Sequence, residues 1–235
     1  LYYFPSPKTS TLKNISIRAE SIVGRTNVEV TEPFWFRDEA TVDALGRYIR
    51  TGKTGAYSYN GTSMRYLLTT TGNESNNLTF PKTVKNPSVS VDLYPISSTE
   101  QSVGGILLTS SVPGTYYTII PGSYAKVEFH QSLGLIKLIL YSNLTTPSPT
   151  NRNIYVAFSY EDKFTLTMSD DGSTVTATLY NSAGEVLGSL SEDVVIPNCQ
   201  YVSLTGYPIG ATTSRKIEFD NLQISGTRVY NKPIH

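Results

Sequence analysis

Glu218 and Asp220 stand two positions apart in RKIEFDNLQISG, residues 215–226. On an extended strand, alternation puts Glu218, Asp220 and Leu222 on one face and Ile217, Phe219 and Asn221 on the other. Two carboxylates on one face can divide acid/base work, one protonating a leaving oxygen while the other acts as base or nucleophile. A second pairing occurs in VEFHQS, where Glu128 and His130 are spaced alike and form either an acid/base pair or a solvated, hydrogen-bonded one. His130 and His235 are the only histidines, too few for a zinc cage, and the chain has no Gly-x-Ser-x-Gly nucleophile turn. Asp170 and Asp171 in SDDGS could hold calcium, but the stretch lacks the spaced oxygen ligands of a dedicated loop and reads as a hairpin turn. No other metal and no cofactor is expected.

Aromatic residues offer a different chemistry. The chain has 17 Tyr and one Trp. Trp35 in EPFWFRDE and Tyr116, Tyr117 and Tyr124 in PGTYYTIIPGSY fall near expected loops, where they could stack on sugar rings. Core packing competes for the same residue types.

The elements that must position these groups are strands. SVSVDLYPI sets Val89, Val91 and Leu93 against Ser88, Ser90 and Asp92, and STVTATLY sets Val175, Ala177 and Leu179 against Thr174, Thr176 and Thr178. YAKVEFH, NIYVAFSY, DKFTLTM and RKIEFDNLQI continue the period of two, and SDDGS and NSAGE supply glycine turns for hairpins. One helix is expected in DEATVDALGRYI, with Asp38 as its cap and Val42, Leu45 and Ile49 at helical spacing. The expectation is an all-β, two-sheet antiparallel sandwich with at most one or two short helices.

Composition bounds the setting. The 235 residues are 39% hydrophobic, enough for one large core. Charged residues are 16%, against a usual figure of about 25%, and the formal net charge is +0. No basic run exists to neutralise phosphates, so nucleic acid is not an expected partner. The longest apolar runs fall far short of the ~20 residues that span a bilayer. Cys199, the single cysteine, excludes an internal disulfide and reads as a buried hydrophobe. A chain starting at Leu1 without Met is what removal of a signal peptide leaves. Asn14, Asn60, Asn73, Asn77 and Asn143 lie in N-x-Ser/Thr sequons. Sugars there would hydrate a weakly charged surface, and the expected location is secreted or cell surface.

Residues 57–96, with a strand ending near Asn60-Gly61 and a long strand closing the first hairpin, resemble the opening of a concanavalin A-like lectin/glucanase domain. VGGILLTSS, residues 164–191 and IEFDNLQISG are similar to the middle and last strands of that superfamily, including its LamG-like modules. The resemblance covers about residues 32–226 and implies a jelly roll of two antiparallel sheets. It also implies a catalytic strand motif, Glu-x-Asp-x-x-Glu, lying mid-domain on the concave sheet. Here Glu218 and Asp220 are followed by Gln223, which cannot ionise, and the stretch is the last strand. The expectation is therefore a protein with no catalytic residues and no enzymatic activity.

The division expected is an N-terminal extension, 1–31, followed by a sandwich domain, 32–235. In the extension, Leu1, Tyr2, Tyr3 and Phe4 are apolar, while Pro5 and Pro7 keep the segment out of any central strand. Such a segment suits strand addition to a neighbouring subunit, so self-association is expected through these four residues. Composition is also similar to that of archaeal surface proteins. Two functions follow: a structural subunit of an extracellular filament, surface layer or virion, or a carbohydrate-binding lectin-like module.

Overall fold

Every second residue of LTM and of VTATL turns inward, because valine, leucine and methionine at period two need a face on which to leave water. The computed structural model describes residues 27–52, 56–72, 75–96, 102–114, 124–132, 135–143, 150–157, 163–193, 195–196, 200–206 and 211–233. In chain order the strands are β1 (Asn27–Asp38), β2 (Ile49–Thr51), β3 (Tyr57–Asn60), β4 (Arg65–Gly72) and β5 (Asn76–Thr79). Then come β6 (Lys85–Pro95), β7 (Ser102–Thr109), β8 (Tyr124–Ser132), β9 (Leu135–Asn143) and β10 (Thr150–Ala157). The last five are β11 (Phe164–Asp170), β12 (Thr174–Tyr180), β13 (Val186–Asp193), β14 (Tyr201–Gly206) and β15 (Ala211–Pro233).

They form two antiparallel sheets. One runs β13-β12-β11-β6-β15-β4-β3, with β1 also beside β15, and the other runs β10-β9-β8-β7-β14-β5-β2. Between them lies a single core in which Phe129 and Phe164 stand 5.1 Å apart and Phe219, Leu68 and Ile106 are fully buried. Each such side chain contributes about 1.5–3 kcal/mol by leaving water. Gly104 makes room at the centre: a Cβ there would come within 2.9 Å of the Phe219 ring and 2.7 Å of Ile217. The two expected hairpins are present, with Gly172 at φ 95° and Gly184 at φ 83°. Asp171 Oδ1 accepts from the N–H groups of Ser173 and Thr174 in the first turn, and Asn181 Oδ1 accepts from Glu185 N–H in the second.

The helix expected over DEATVDALGRYI is reduced to one 3-10 turn, Leu45–Arg47. Asp38 ends β1, and Ala40 sits at φ 47°, which no helix tolerates. Asp43 also draws the Leu45 N–H onto its own side chain, and Gly46 weakens what remains. Asp38 is no cap. Its Oδ2 accepts from the hydroxyls of Tyr48 at 2.6 Å and Tyr66 at 2.9 Å, and its Oδ1 accepts from Ala40 N–H at 2.9 Å.

β15 organises the first sheet. It is 23 residues long and changes partner halfway: β4 accompanies Ala211–Phe219, and β1 accompanies Leu222–Pro233. A bulge between Asp220 and Gln223 marks the change, with Asn221 at φ 51°. β6 flanks the other side as far as Thr227. Beyond that, among the described residues, Asn27–Glu32 and Arg228–Pro233 run on as a two-stranded ribbon. The division expected at residue 31 falls inside β1.

Candidate functional site

The chemistry-bearing stretch lies in the middle of the first sheet, although it is last in sequence. The alternation read from RKIEFDNLQISG holds as far as Asp220, and then the bulge shifts it by one. Leu222 joins the core at 3% exposure, while Asn221 joins the polar outer face with Asp220 and Gln223. Asparagine suits this position, because its short side chain tolerates a left-handed backbone better than most.

Around Asn221 the outer face is fully wired. Asn221 N–H donates to Asp220 Oδ1 at 2.6 Å, and its Oδ1 accepts from Arg37 Nε at 3.3 Å and Gln223 Nε2 at 3.1 Å. Its Nδ2 reaches Asp92 Oδ2 at 3.5 Å. Asp92 lies directly opposite Asp220 across β6 and β15, accepts from Thr165 Oγ1 at 2.7 Å, and is ion-paired with Lys163 at 2.9 Å. Burial lifts the Asp220 pKa above the ordinary carboxylate range; the Asn221 N–H opposes this and the Asp92 charge adds to it. The hydrogen bond to Asp92 raises Lys163. Two residues before Asp38, β1 turns Phe36 inward against Phe80, and Phe34 does likewise. Alternation then leaves Trp35 outward at 66% exposure, beside Arg37 and opposite Ser225.

Glu218 has a separate task. It is buried, accepts from Asn60 Nδ2 at 2.8 Å and Ser63 Oγ at 3.3 Å, and pairs with Arg65 at 3.3 Å. The Arg65 guanidinium lies 3.3 Å over the Tyr94 ring. This set ties the β3–β4 hairpin to β15. Glu218 and Asp220 thus share a face, as expected, but serve different networks.

A second polar group lies on the outward side of the other sheet. Glu128, fully buried, pairs with Lys126, also buried, among Thr109, Ser203, Thr205 and Thr79. Thr79 and Ser203 hydroxyls are hydrogen-bonded at 2.8 Å. His130 stands two positions along β8, opposite Val103 and Lys137.

The remaining expected residues are scattered. Trp35 is in a strand rather than a loop, Tyr124 begins β8, and Tyr116 and Tyr117 lie outside the described residues, as do Leu1, Tyr2, Tyr3, Phe4, Asn14, Asn73, Cys199 and His235. Asn143 ends β9. Asn60 Nδ2 is engaged by Glu218. Asn77 is 2% exposed and its Nδ2 donates to Thr51 Oγ1 and Gly114 O. The calcium alternative at Asp170 and Asp171 meets occupied carboxylates. Asp170 holds Gly172 N–H and Gln200 Nε2, and Asp171 holds its own turn. Among the described residues no group of three or more His, Cys, Asp or Glu is placed to hold a metal ion, and no helix is long and apolar enough to cross a membrane. Sequence reasoning missed Arg37, Asp92 and Lys163. The available signal was Leu222, an apolar residue assigned to a face of acids.

No family model matches the chain, and no curated protein matches it. Solved structures do. A basic winged bean lectin with Tn-antigen superposes with TM-score 0.56 at 11% identity over 84% of this chain and 99% of the lectin. The fold is the concanavalin A-like jelly roll. The kappa-carrageenase of Pseudoalteromonas carrageenovora, in complex with an oligotetrasaccharide of kappa-carrageenan, matches at 0.52 and 10% identity over 83% of this chain and 96% of the enzyme. The Crh5 transglycosylase in complex with NAG matches at 0.54 and 13% identity over 82% of this chain and 83% of that one. These two overturn the expectation that the chain is not an enzyme, since catalysis is carried on this fold. The exclusion rested on Gln223 and on the motif's place in the last strand, and weighed Glu128 only with His130, whereas Glu128 lies buried beside Lys126.

Proposed function

We propose that this protein recognises carbohydrate, with the outer face of the first sheet around the β15 bulge as its binding site. The observation that carries the reading is Trp35, an indole 66% exposed beside a pre-wired set of planar amides and carboxylates. A pyranose offers an apolar ring face and a rim of hydroxyls. Trp35 suits the first, while Gln223, Asp220 and Arg37 supply donors and acceptors for the second. The Asn221 network holds these groups in one geometry, so little order is lost on binding. Lectins on the same fold support the reading. Titration of neutral and charged mono- and disaccharides by calorimetry tests it. Trp35→Ala should weaken the ligand found by about 30-fold, or ~2 kcal/mol, with an unchanged urea midpoint; unaltered affinity sinks the proposal.

Self-association through residues 1–11 is a second reading, supported by the ribbon. Asn27 opens β1, paired with Pro233, where β6 no longer flanks β15. A two-stranded ribbon is marginal alone, and strand addition from a second copy, led by Leu1, Tyr2, Tyr3 and Phe4, would widen it. We place this assembly outside the cell, as a glycoprotein carrying sugars at Asn14, Asn73 or Asn143. Intact-mass measurement of native material against the bare 25.8 kDa chain tests the glycans.

A further inference from the structure

The strand register joins Trp35 to an uncharged pavement. Trp35 is opposite Ser225, Ser225 opposite Ser88, Ser88 opposite Ser169, Ser169 opposite Thr176 and Thr176 opposite Ser191. One row therefore crosses six strands, β1-β15-β6-β11-β12-β13, as one indole followed by five hydroxyls. Next to it, Arg37 begins a parallel row through Gln223, Ser90, Thr167, Thr178 and Ser189. The intervening residues Val89, Leu166, Met168, Val175, Ala177 and Ile224 are fully buried or nearly so, which turns these hydroxyls outward. Beyond Arg37 neither row has a charged side chain.

We infer that the ligand of the Trp35 site is a long, uncharged polysaccharide chain that lies across the strands along these rows, rather than a terminal sugar. The inference rests on the carbohydrate reading above and names its substrate class. Five strand-to-strand steps of about 4.8 Å give a track of about 24 Å, room for several linked rings. Short hydroxyls on a rigid sheet both donate and accept, and little rotamer entropy is lost when they bind. Where they already pair, as Thr176 with Ser191 and Thr178 with Ser189, both at 2.9 Å, one lone pair on each oxygen is still open to a sugar hydroxyl. An exposed sheet face ordinarily carries lysines and glutamates for solubility. Their absence over two rows matches a neutral partner; Lys163, on the same face beyond these rows, is already ion-paired with Asp92.

The test is a ladder of neutral glucan oligosaccharides, from disaccharide to hexasaccharide, titrated into the full chain, with a sulfated glycan for comparison. Wild type should bind the hexasaccharide at least about tenfold more tightly than the disaccharide. The double variant Thr176→Lys, Thr178→Lys, which changes only outward positions, should keep the disaccharide affinity and lose the gain with length; its urea midpoint reports folding. Single Ser169→Lys provides a second variant if that pair disturbs β12. Affinity that does not rise with length, or a lysine variant that binds the hexasaccharide like wild type, overturns the inference while leaving disaccharide recognition in place. A sulfated glycan that binds more tightly than the neutral series overturns it too. If no sugar of any length binds, the carbohydrate reading itself fails and this one with it.

Discussion

Replacing Asp38 with alanine should cost about 3–5 kcal/mol, because one carboxylate holds three elements together. Asp38 closes β1, is 8% exposed, and accepts from Tyr48 on the segment after the 3-10 turn, from Tyr66 on β4, and from Ala40 N–H at a positive φ. Hydrogen bonds to a charged group are worth about 1.5–3 kcal/mol each, so three sum to about 4.5–9 kcal/mol. Removing the carboxylate also removes its desolvation cost, which offsets part of that sum and leaves a net loss like that of a broken buried pair. Against a total of about 5–15 kcal/mol this is severe. Asp38→Asn keeps the shape and one acceptor and should lose roughly 1–2 kcal/mol; Tyr48→Phe should lose about as much. Urea unfolding followed by fluorescence gives the midpoints, and an unchanged slope confirms that stability alone moved. Since Asp38→Ala already strips Tyr48 of its acceptor, adding Tyr48→Phe should cost little more, with a coupling of about 1–3 kcal/mol. Strict additivity, or an Asp38→Ala loss under about 1 kcal/mol, would falsify the idea that this carboxylate clamps β1. Trp35 sits three residues away, so sugar affinity should fall with the clamp.

Burial pushes Tyr57 up to about 12 and also raises Tyr48 and Tyr66, with the Asp38 carboxylate adding to the latter two. The folded state binds these protons more tightly than the unfolded chain, so stability is intact below the ordinary tyrosine pKa of about 10 and is lost as pH rises past it. Melting temperatures measured across that range should fall less in Tyr57→Phe. Asp220 is raised by burial, so its ionisation costs stability at neutral pH. Asp220→Asn should raise the urea midpoint at pH 7 and give no gain below about pH 4, where the acid is protonated in both states; a gain independent of pH means the cause is packing. Gly104→Val drives a side chain into Ile217 and Phe219 and should cost about 1–3 kcal/mol, read from the same unfolding curves. Deleting residues 1–11 should leave a folded monomer by sedimentation, and retention of the native assembly would remove the strand-addition reading.

The sandwich was legible because its strands obey one rule. Where apolar and hydroxyl residues alternate, as in SVSVD and TVTATLY, sheet, face and register partner all follow from burying one side. The same rule failed at two places with local causes. DEATVDALGRYI has a helical spacing of apolar residues, but Asp38 and Asp43 bind backbone N–H groups at once, and these short-range bonds displaced the helix. In EFDNLQ the period of two is interrupted by a single extra residue. A bulge has no periodic signature, so the faces of Asn221 and Leu222 were exchanged. The carboxylate partner of Asp220 was beyond reach for another reason: Asp92 is 128 residues earlier in the chain, and only the pairing of β6 with β15 brings the two together.

The bulge ties these points to function. Without it, β15 would carry alternating acids and leucine on its outer side. With it, three things change at one residue: the neighbour becomes β1, the core regains Leu222, and Asn221 turns to the polar face. β1 brings Trp35, the indole that the outer face otherwise lacks, and Arg37, which donates to Asn221 Oδ1. A left-handed asparagine costs on the order of 1 kcal/mol, and its four hydrogen bonds, to Asp220, Arg37, Gln223 and Asp92, offset that strain. A strained residue that is also the hub of a surface network marks where the fold gives up regularity, and Trp35 with its hydroxyl row begins at that point.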